Sequence, residues 1–148
     1  MVFKNETELK NFLMKKCRNA LVKSQQQVYQ IIDRFVKEFY AEFSPEMYKR
    51  TYQLYCSLIK SDIISTKSGY KAEVYFDLSN IDYVTGSRPS GEQVMQAAEW
   101  GRHGAMGLAV ADFKGTSIWH EPLKILDAQA INILERMLRA EGIPIKKA

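Results

Sequence analysis

The segment Ile63-Ile64-Ser65-Thr66-Lys67-Ser68-Gly69-Tyr70-Lys71-Ala72-Glu73-Val74-Tyr75-Phe76-Asp77 decides the fold class. Tyr70, Ala72, Val74 and Phe76 alternate with Lys71, Glu73, Tyr75 and Asp77, which gives a strand one apolar and one mixed face. Ile63 to Thr66 leads into Lys67-Ser68-Gly69, where Gly69 supplies the positive φ of a tight turn. A β-hairpin over residues 63–77 is expected. Just upstream, Tyr52, Leu54, Cys56 and Leu58 alternate with Gln53, Tyr55 and Ser57. That favours another strand over Thr51–Ile59, although Leu54, Leu58 and Ile59 also fit a helical start.

Helices flank this β region. No Gly or Pro occurs from Glu6 to Phe43, and apolar residues from Leu9 through Phe12, Leu13, Cys17, Ala20 and Leu21 to Phe43 recur in steps of three and four. One long amphipathic helix follows, with Asn5 as its cap and Glu8 as the capping-box partner. The stripe thins at Ser24-Gln25-Gln26-Gln27, where a kink or break is expected. Ser44-Pro45 ends the helix, and Glu46 to Arg50 reads as a short turn. Leu78 to Pro89 reads as a loop. Ser90 caps a helix near 90–100 that Gly101 stops. Gly101 to Thr116 is loop-like, with a short strand at Leu108–Val110. Pro122 opens a last helix near 122–141, lined by Leu123, Ile125, Leu126, Ala130, Ile131, Leu134, Met137 and Leu138 and closed by Gly142 and Pro144. Helices and strands do not alternate along the chain, so the expected class is α+β, with a small antiparallel sheet of 2–4 strands.

The chain has 148 residues, which suits one domain spanning 1–148. Its two cysteines, Cys17 and Cys56, form no disulfide scaffold and read as small core residues. No apolar run approaches the roughly 20 residues of a membrane span, and the first residues lack a signal-peptide pattern. No membrane partner is expected. The net charge is +4, and it is uneven: 13 basic and 8 acidic side chains in residues 1–74, against 8 and 9 in residues 75–148. Lys10, Lys15, Lys16, Arg18 and Lys23 crowd one stretch of the first helix. Such cations are what phosphate contacts need, so they are the possible DNA-facing residues. No helix-turn-helix or aromatic sheet motif accompanies them.

No catalytic site is expected. Gly86 and Gly91 have the glycine spacing of a P-loop, but Glu92-Gln93 stand where Lys and Ser or Thr are needed. The Gly101, Gly104, Gly107 set follows no convincing strand. No G-x-S-x-G elbow is present. Cys17, Cys56, His103 and His120 lack the close pairing of a zinc site, so neither metal nor cofactor is expected. Glu42 with Glu46, or Glu92 with Glu99, are conceivable carboxylate pairs without a pocket to serve. His120 sits at the start of the last helix. Trp100 and Trp119 read as core or loop anchors.

Three segments together resemble a family, the small head–tail connector and tail-completion proteins (minor tail components) of long-tailed bacteriophages. The first is Ser44-Pro45-Glu46-Met47-Tyr48-Lys49-Arg50-Thr51-Tyr52-Gln53-Leu54 with Ser57-Leu58-Ile59, where a proline, an Arg-Thr pair and a Leu-x-x-Ser lead to the first strand. The second is Ala97-Ala98-Glu99-Trp100-Gly101, similar to the family's alanine, glutamate, aromatic, glycine run. The third is Ile118-Trp119-His120-Glu121-Pro122-Leu123, similar to its aromatic-then-proline start of the C-terminal helix. Tyr52 departs from the pattern, standing where glycine commonly follows Arg-Thr.

The resemblance implies an α+β fold and a structural role. Copies would form a ring where tail meets head or at the tail end, with neighbouring head–tail or tail-tube proteins as partners and DNA passing through. It implies a virion location, with assembly in the host bacterial cytoplasm. A ring subunit offers two different faces to its neighbours, and loops are good candidates for such contacts. The interface candidates are Tyr83 and Arg88 in one loop and Arg102, His103, Met106 and Phe113 in the other. Arg50 is a candidate anchor for its turn. The alternatives are a non-specific nucleic-acid-binding protein, or a small enzyme needing His103 or His120 beside a carboxylate in a pocket.

Overall fold

The computed structural model describes residues 2–42, 52–81, 90–102 and 113–145. Its elements run α1 (Glu6–Glu42), α2 (Gln53–Ser57), β1 (Leu58–Lys60), β2 (Ile64–Thr66), β3 (Gly69–Lys71), β4 (Val74–Phe76), a 3-10 turn (Leu78–Asn80), α3 (Gly91–Trp100), β5 (Gly101–Arg102), β6 (Phe113–Lys114) and α4 (His120–Ala140). The class is α+β. Its described strands form three two-stranded antiparallel pairs: β1 with β4, β2 with β3, and β5 with β6.

α1 runs unbroken through 37 residues, about 55 Å at 1.5 Å per residue. Asn5 caps it, its Oδ1 accepting from the Glu8 N–H at 2.8 Å. The break expected at Ser24–Gln27 does not occur, because that polar run is where three elements cross. Ser24 Oγ donates to the Ala20 carbonyl within the helix. Buried Gln25 donates through Nε2 to the carbonyls of Ser61 and Glu73, both at 2.9 Å. Gln26 accepts from Lys60, and Gln27 from Arg136 of α4. Polar side chains with partners cost the helix little here.

The hairpin forms, but as two pieces. Leu58 faces Phe76 and Lys60 faces Val74, whereas Ile64 faces Lys71 and Thr66 faces Gly69. Three residues, Ser61 to Ile63, thus oppose two, Ala72 and Glu73, so the ladder carries a bulge. Gln25 grips the carbonyls at that bulge. Over residues 52–59 the chain takes the helical start that Leu54, Leu58 and Ile59 also fit, as the short helix α2, and only then the strand β1, rather than a strand throughout. Leu54 and Leu58, one turn apart, are both buried, and Ser57 Oγ donates to the Leu54 carbonyl at 2.7 Å. Tyr52 takes φ 56°, ψ 15° before α2. Glycine adopts that left-handed conformation more readily than tyrosine does. The Tyr52 ring stacks on Tyr40 with centroids 5.1 Å apart.

The core joins Ile32, Val36 and Phe39 of α1 to Leu54, Leu58, Ile81, Ala98 and Ile118, and to Leu126 and Ile133 of α4. The stripe expected on α4 is only partly right. Ile133, absent from that reading, is buried, while Ile131 is 81% exposed and Leu134 38%. Cys56 is also exposed rather than in the core, and Cys17 is half-buried. The turn at 46–50, Arg50 and the strand at 108–110 lie outside the described residues.

Candidate functional site

Ser90 and Gln93 form a reciprocal capping box that starts α3. Ten residues later the helix ends at Gly101, with φ 80°. From there the chain zips back on itself. Gly101 pairs with Lys114 and Arg102 with Phe113. Thr116 N–H donates to the Ala98 carbonyl, and Ser117 N–H to that of Glu99. Gly115 makes the crossing possible, since a Cβ there would lie 2.3 Å from the Gly101 nitrogen and 2.4 Å from the Glu99 carbonyl oxygen.

Glu99 closes this stem. Its carboxylate is 5% exposed and accepts four hydrogen bonds: from Ser117 Oγ and Trp119 N–H, both at 2.7 Å, from His120 Nδ1 at 2.8 Å, and from His120 N–H at 3.3 Å. Burial pushes its pKa up, but the bonds from Ser117, Trp119 and His120 outweigh it and leave the group below the usual carboxylate value. The side chain acts as a cap borrowed from elsewhere in the chain, satisfying N–H groups at the start of α4 and facing the positive end of its dipole. Two of the three resemblance segments, Ala97–Gly101 and Ile118–Leu123, are thereby joined through one carboxylate.

His120 thus has the carboxylate partner the enzyme alternative required. A carboxylate can only accept, so His120 Nδ1 carries the proton and Nε2 is left for other partners. The side chain is 55% exposed, with the Trp100 ring 4.9 Å away. Trp100 itself is 64% exposed and so is not a core anchor. Trp119 does pack inward, edge-on to Phe76 at 5.6 Å. The groove between α1 and α4, lined by Gln30, Arg34, Gln129 and Arg136 among others, lies along the middle of α4 rather than at His120. Glu92 and Glu99 do not form a pair: Glu92 is exposed in the first turn of α3, and Glu99 is buried in its last.

The five basic residues of α1 sort into two sets. Lys16 and Lys23 bind Glu141, just past the end of α4, with Lys16 at 3.3 Å, and Asn19 adds a weak contact at 3.5 Å. The Lys23 hydrogen bond, followed by those of Lys16 and Asn19, holds the Glu141 carboxyl at about 2 against the opposing effect of burial. Lys10, Lys15 and Arg18 are exposed, and no carboxylate pairs with them among the described residues. Arg102 and Phe113 are brought together as backbone partners. Tyr83, Arg88, His103 and Met106 lie outside the described residues. Ser117 and Glu141 carry no signal of these roles in the sequence, and Gln25 stands there only as part of the polar run Ser24–Gln27. Glu99 stood out only within the alanine-glutamate-tryptophan-glycine run and as one member of a carboxylate pair.

These features define an α+β fold with a clamped stem at one end of its last helix and a basic stripe on its first. The chain belongs to the YomN family, whose model matches residues 5–135. That family is phage-derived, from a Bacillus prophage, which suggests a phage or prophage protein. No curated protein and no solved structure matches it.

Proposed function

We propose that this chain is a structural virion protein of a long-tailed phage or prophage, acting without catalysis and assembling as a ring at the head–tail joint or tail end. The observation that carries the reading is the Glu99 node. It fastens together two of the three segments whose sequence resembles the connector and tail-completion family, in a chain whose own family is phage-derived. A stem fixed by a buried carboxylate and a close glycine crossing is a rigid base for contacts made by the residues it brackets. Rigid scaffolds with loop-borne contacts are how assembling subunits recognise one another. Arg102 and Phe113, at that base, are interface residues in this reading, as are Tyr83, Arg88, His103 and Met106. Neighbouring head–tail or tail-tube proteins are the other partners. The test is deletion of the gene from its phage and electron microscopy of the lysate. Unjoined heads and tails, or unfinished tails, are expected; a normal yield of complete infectious particles would refute the reading.

A second reading, contact with DNA, is favoured by the exposed, unpaired set Lys10, Lys15 and Arg18. Removing a cation that neutralises one phosphate reduces the salt dependence of binding by about one unit of log-log slope. Replacing all three by Ser is expected to flatten a gel-shift salt series by about 2–3 units. Replacing Lys16 and Lys23, already engaged with Glu141, is expected to change it much less. Equal effects of the two sets would rule out this sorting.

A further inference from the structure

Two short apolar stripes of the described chain are partly exposed, Ile131 alone among their residues being largely so. The first is the outer face of α4. Ile131 is 81% exposed there and Leu134 38%. At 3.6 residues per turn, Ile131 lies about 160° round the helix from Ile133, which packs against the core. Asp127, one turn before Ile131, is exposed and has no cationic partner among the described residues. The second stripe is the start of α1, where Leu9 and Leu13 are 38% and 40% exposed with Lys10 beside them.

The chain cannot cover one stripe with the other. α4 runs antiparallel to α1, with Arg136 at Gln27 and Glu141 at Lys16 and Lys23. Leu9 lies seven residues, about 10 Å, beyond Lys16. Because α1 is one unbroken helix, this arm extends past the end of its own α4 and cannot fold back onto it.

We propose that the two stripes meet between copies: the α1 arm of one chain lies along the outer face of α4 of the next. Leu9 and Leu13 pack against Ile131 and Leu134, and Lys10 faces Asp127. The occupant is a second copy because the two stripes complement each other in kind and in charge, an unpaired cation among leucines opposite an unpaired carboxylate among aliphatics. This rests on the ring reading above and supplies it with two named surfaces. The faces differ, so the contact is heterologous and repeats from copy to copy until rotation closes it. Two helical turns a side bury well under the about 800 Å² per partner of a stable interface. Association through this contact alone is therefore weak, and covalent trapping is the suitable probe.

The test uses the full chain with Cys17 and Cys56 replaced by Ala. One variant then carries Leu13→Cys, a second Ile131→Cys, and a control Ser68→Cys at the hairpin tip. Oxidising an equimolar mixture of the first two is expected to give a disulfide dimer about tenfold faster than either gives alone or mixed with the control. One chain carrying both cysteines is expected to give a ladder of oligomers. A mixture no faster than the control overturns the contact. So does self-dimerisation of either single variant at the rate of the mixture, which would indicate a two-fold contact instead. If sedimentation still finds oligomers in those cases, the ring reading stands with a different interface. If the protein is monomeric and is missing from purified particles, both fail.

Discussion

His120 Nδ1 lies 2.8 Å from Glu99 Oε1, and the same carboxylate holds the backbone N–H of Trp119 at 2.7 Å. One side chain at the end of α3 thus fixes both the first side chain and the first free N–H groups of α4. Helix starts leave such groups without partners, and most helices supply the cap from the preceding residue. Here Trp119 occupies that place and makes no side-chain cap. The acceptor comes from Glu99 instead, so the start of α4 depends on the stem being closed.

Replacing Glu99 is therefore expected to cost more than replacing His120. Glu99→Ala leaves the part-buried donors of Ser117, Trp119 and His120 without their acceptor and is expected to lose about 3 kcal/mol. Glu99→Gln keeps an acceptor and is expected to lose less. His120→Ala removes one bond from a half-exposed ring and is expected to lose about 1 kcal/mol. Urea unfolding of the three variants checks the order; equal losses for Glu99→Ala and His120→Ala would contradict it.

Acid is expected to weaken the fold through two carboxylates. Glu99 and Glu141 both titrate below their usual value of 4.5 when folded, Glu141 at about 2. A group depressed by folding stabilises fully above its unfolded pKa and loses that contribution as pH falls through the folded one. Stability is therefore expected to fall from about pH 4.5 towards pH 2. Glu141→Gln is expected to flatten that decline and to lower stability at neutral pH. Urea midpoints across pH 2–7 measure it, and an unchanged slope in the variant would contradict it.

The reach of sequence reading follows from which interactions are local. The α+β class, the Asn5 and Ser90 caps and the Gly101 and Gly142 stops were legible because periodicity and capping act within a few residues, whereas the continuity of α1 through Ser24–Gln27 was not. Gln25 was misread because a glutamine in a polar run gives no sign that two carbonyls 36 and 48 residues away await it. α4 was misread because its aliphatic residues cover more than one face. Periodicity alone cannot choose between Ile131 and Ile133 until α1 is in place. Glu99 stood within a quoted segment, but its role depends on Ser117 and His120, 18 and 21 residues on. The interface candidates Tyr83, Arg88, His103 and Met106 fall outside the described residues.

Gln25→Leu is expected to leave the Ser61 and Glu73 carbonyls without their side-chain donor and to cost about 2 kcal/mol. The α1–hairpin junction should loosen with it. Hydrogen exchange of the Ser61 and Glu73 amides reports this directly. Unchanged protection there, with unchanged global stability, would contradict the role given to Gln25.

Gly115 and Gly69 are expected to differ sharply on substitution by Ala. At Gly115 the added Cβ would meet backbone on three sides, within 2.5 Å. The stem must then open, at a cost of about 3 kcal/mol. At Gly69 there is open space, and only its φ of 156° opposes a side chain. A loss of about 1 kcal/mol is expected there. Thermal melts of the two variants decide it, and a smaller loss at Gly115 than at Gly69 would contradict the close crossing.

Whether this chain is a building block of the virion is best measured by quantitative mass spectrometry of purified phage particles from the source strain. A ring component is expected at a few to about a dozen copies per particle, the range of closed cyclic symmetry. Absence from complete, infectious particles would contradict a structural role.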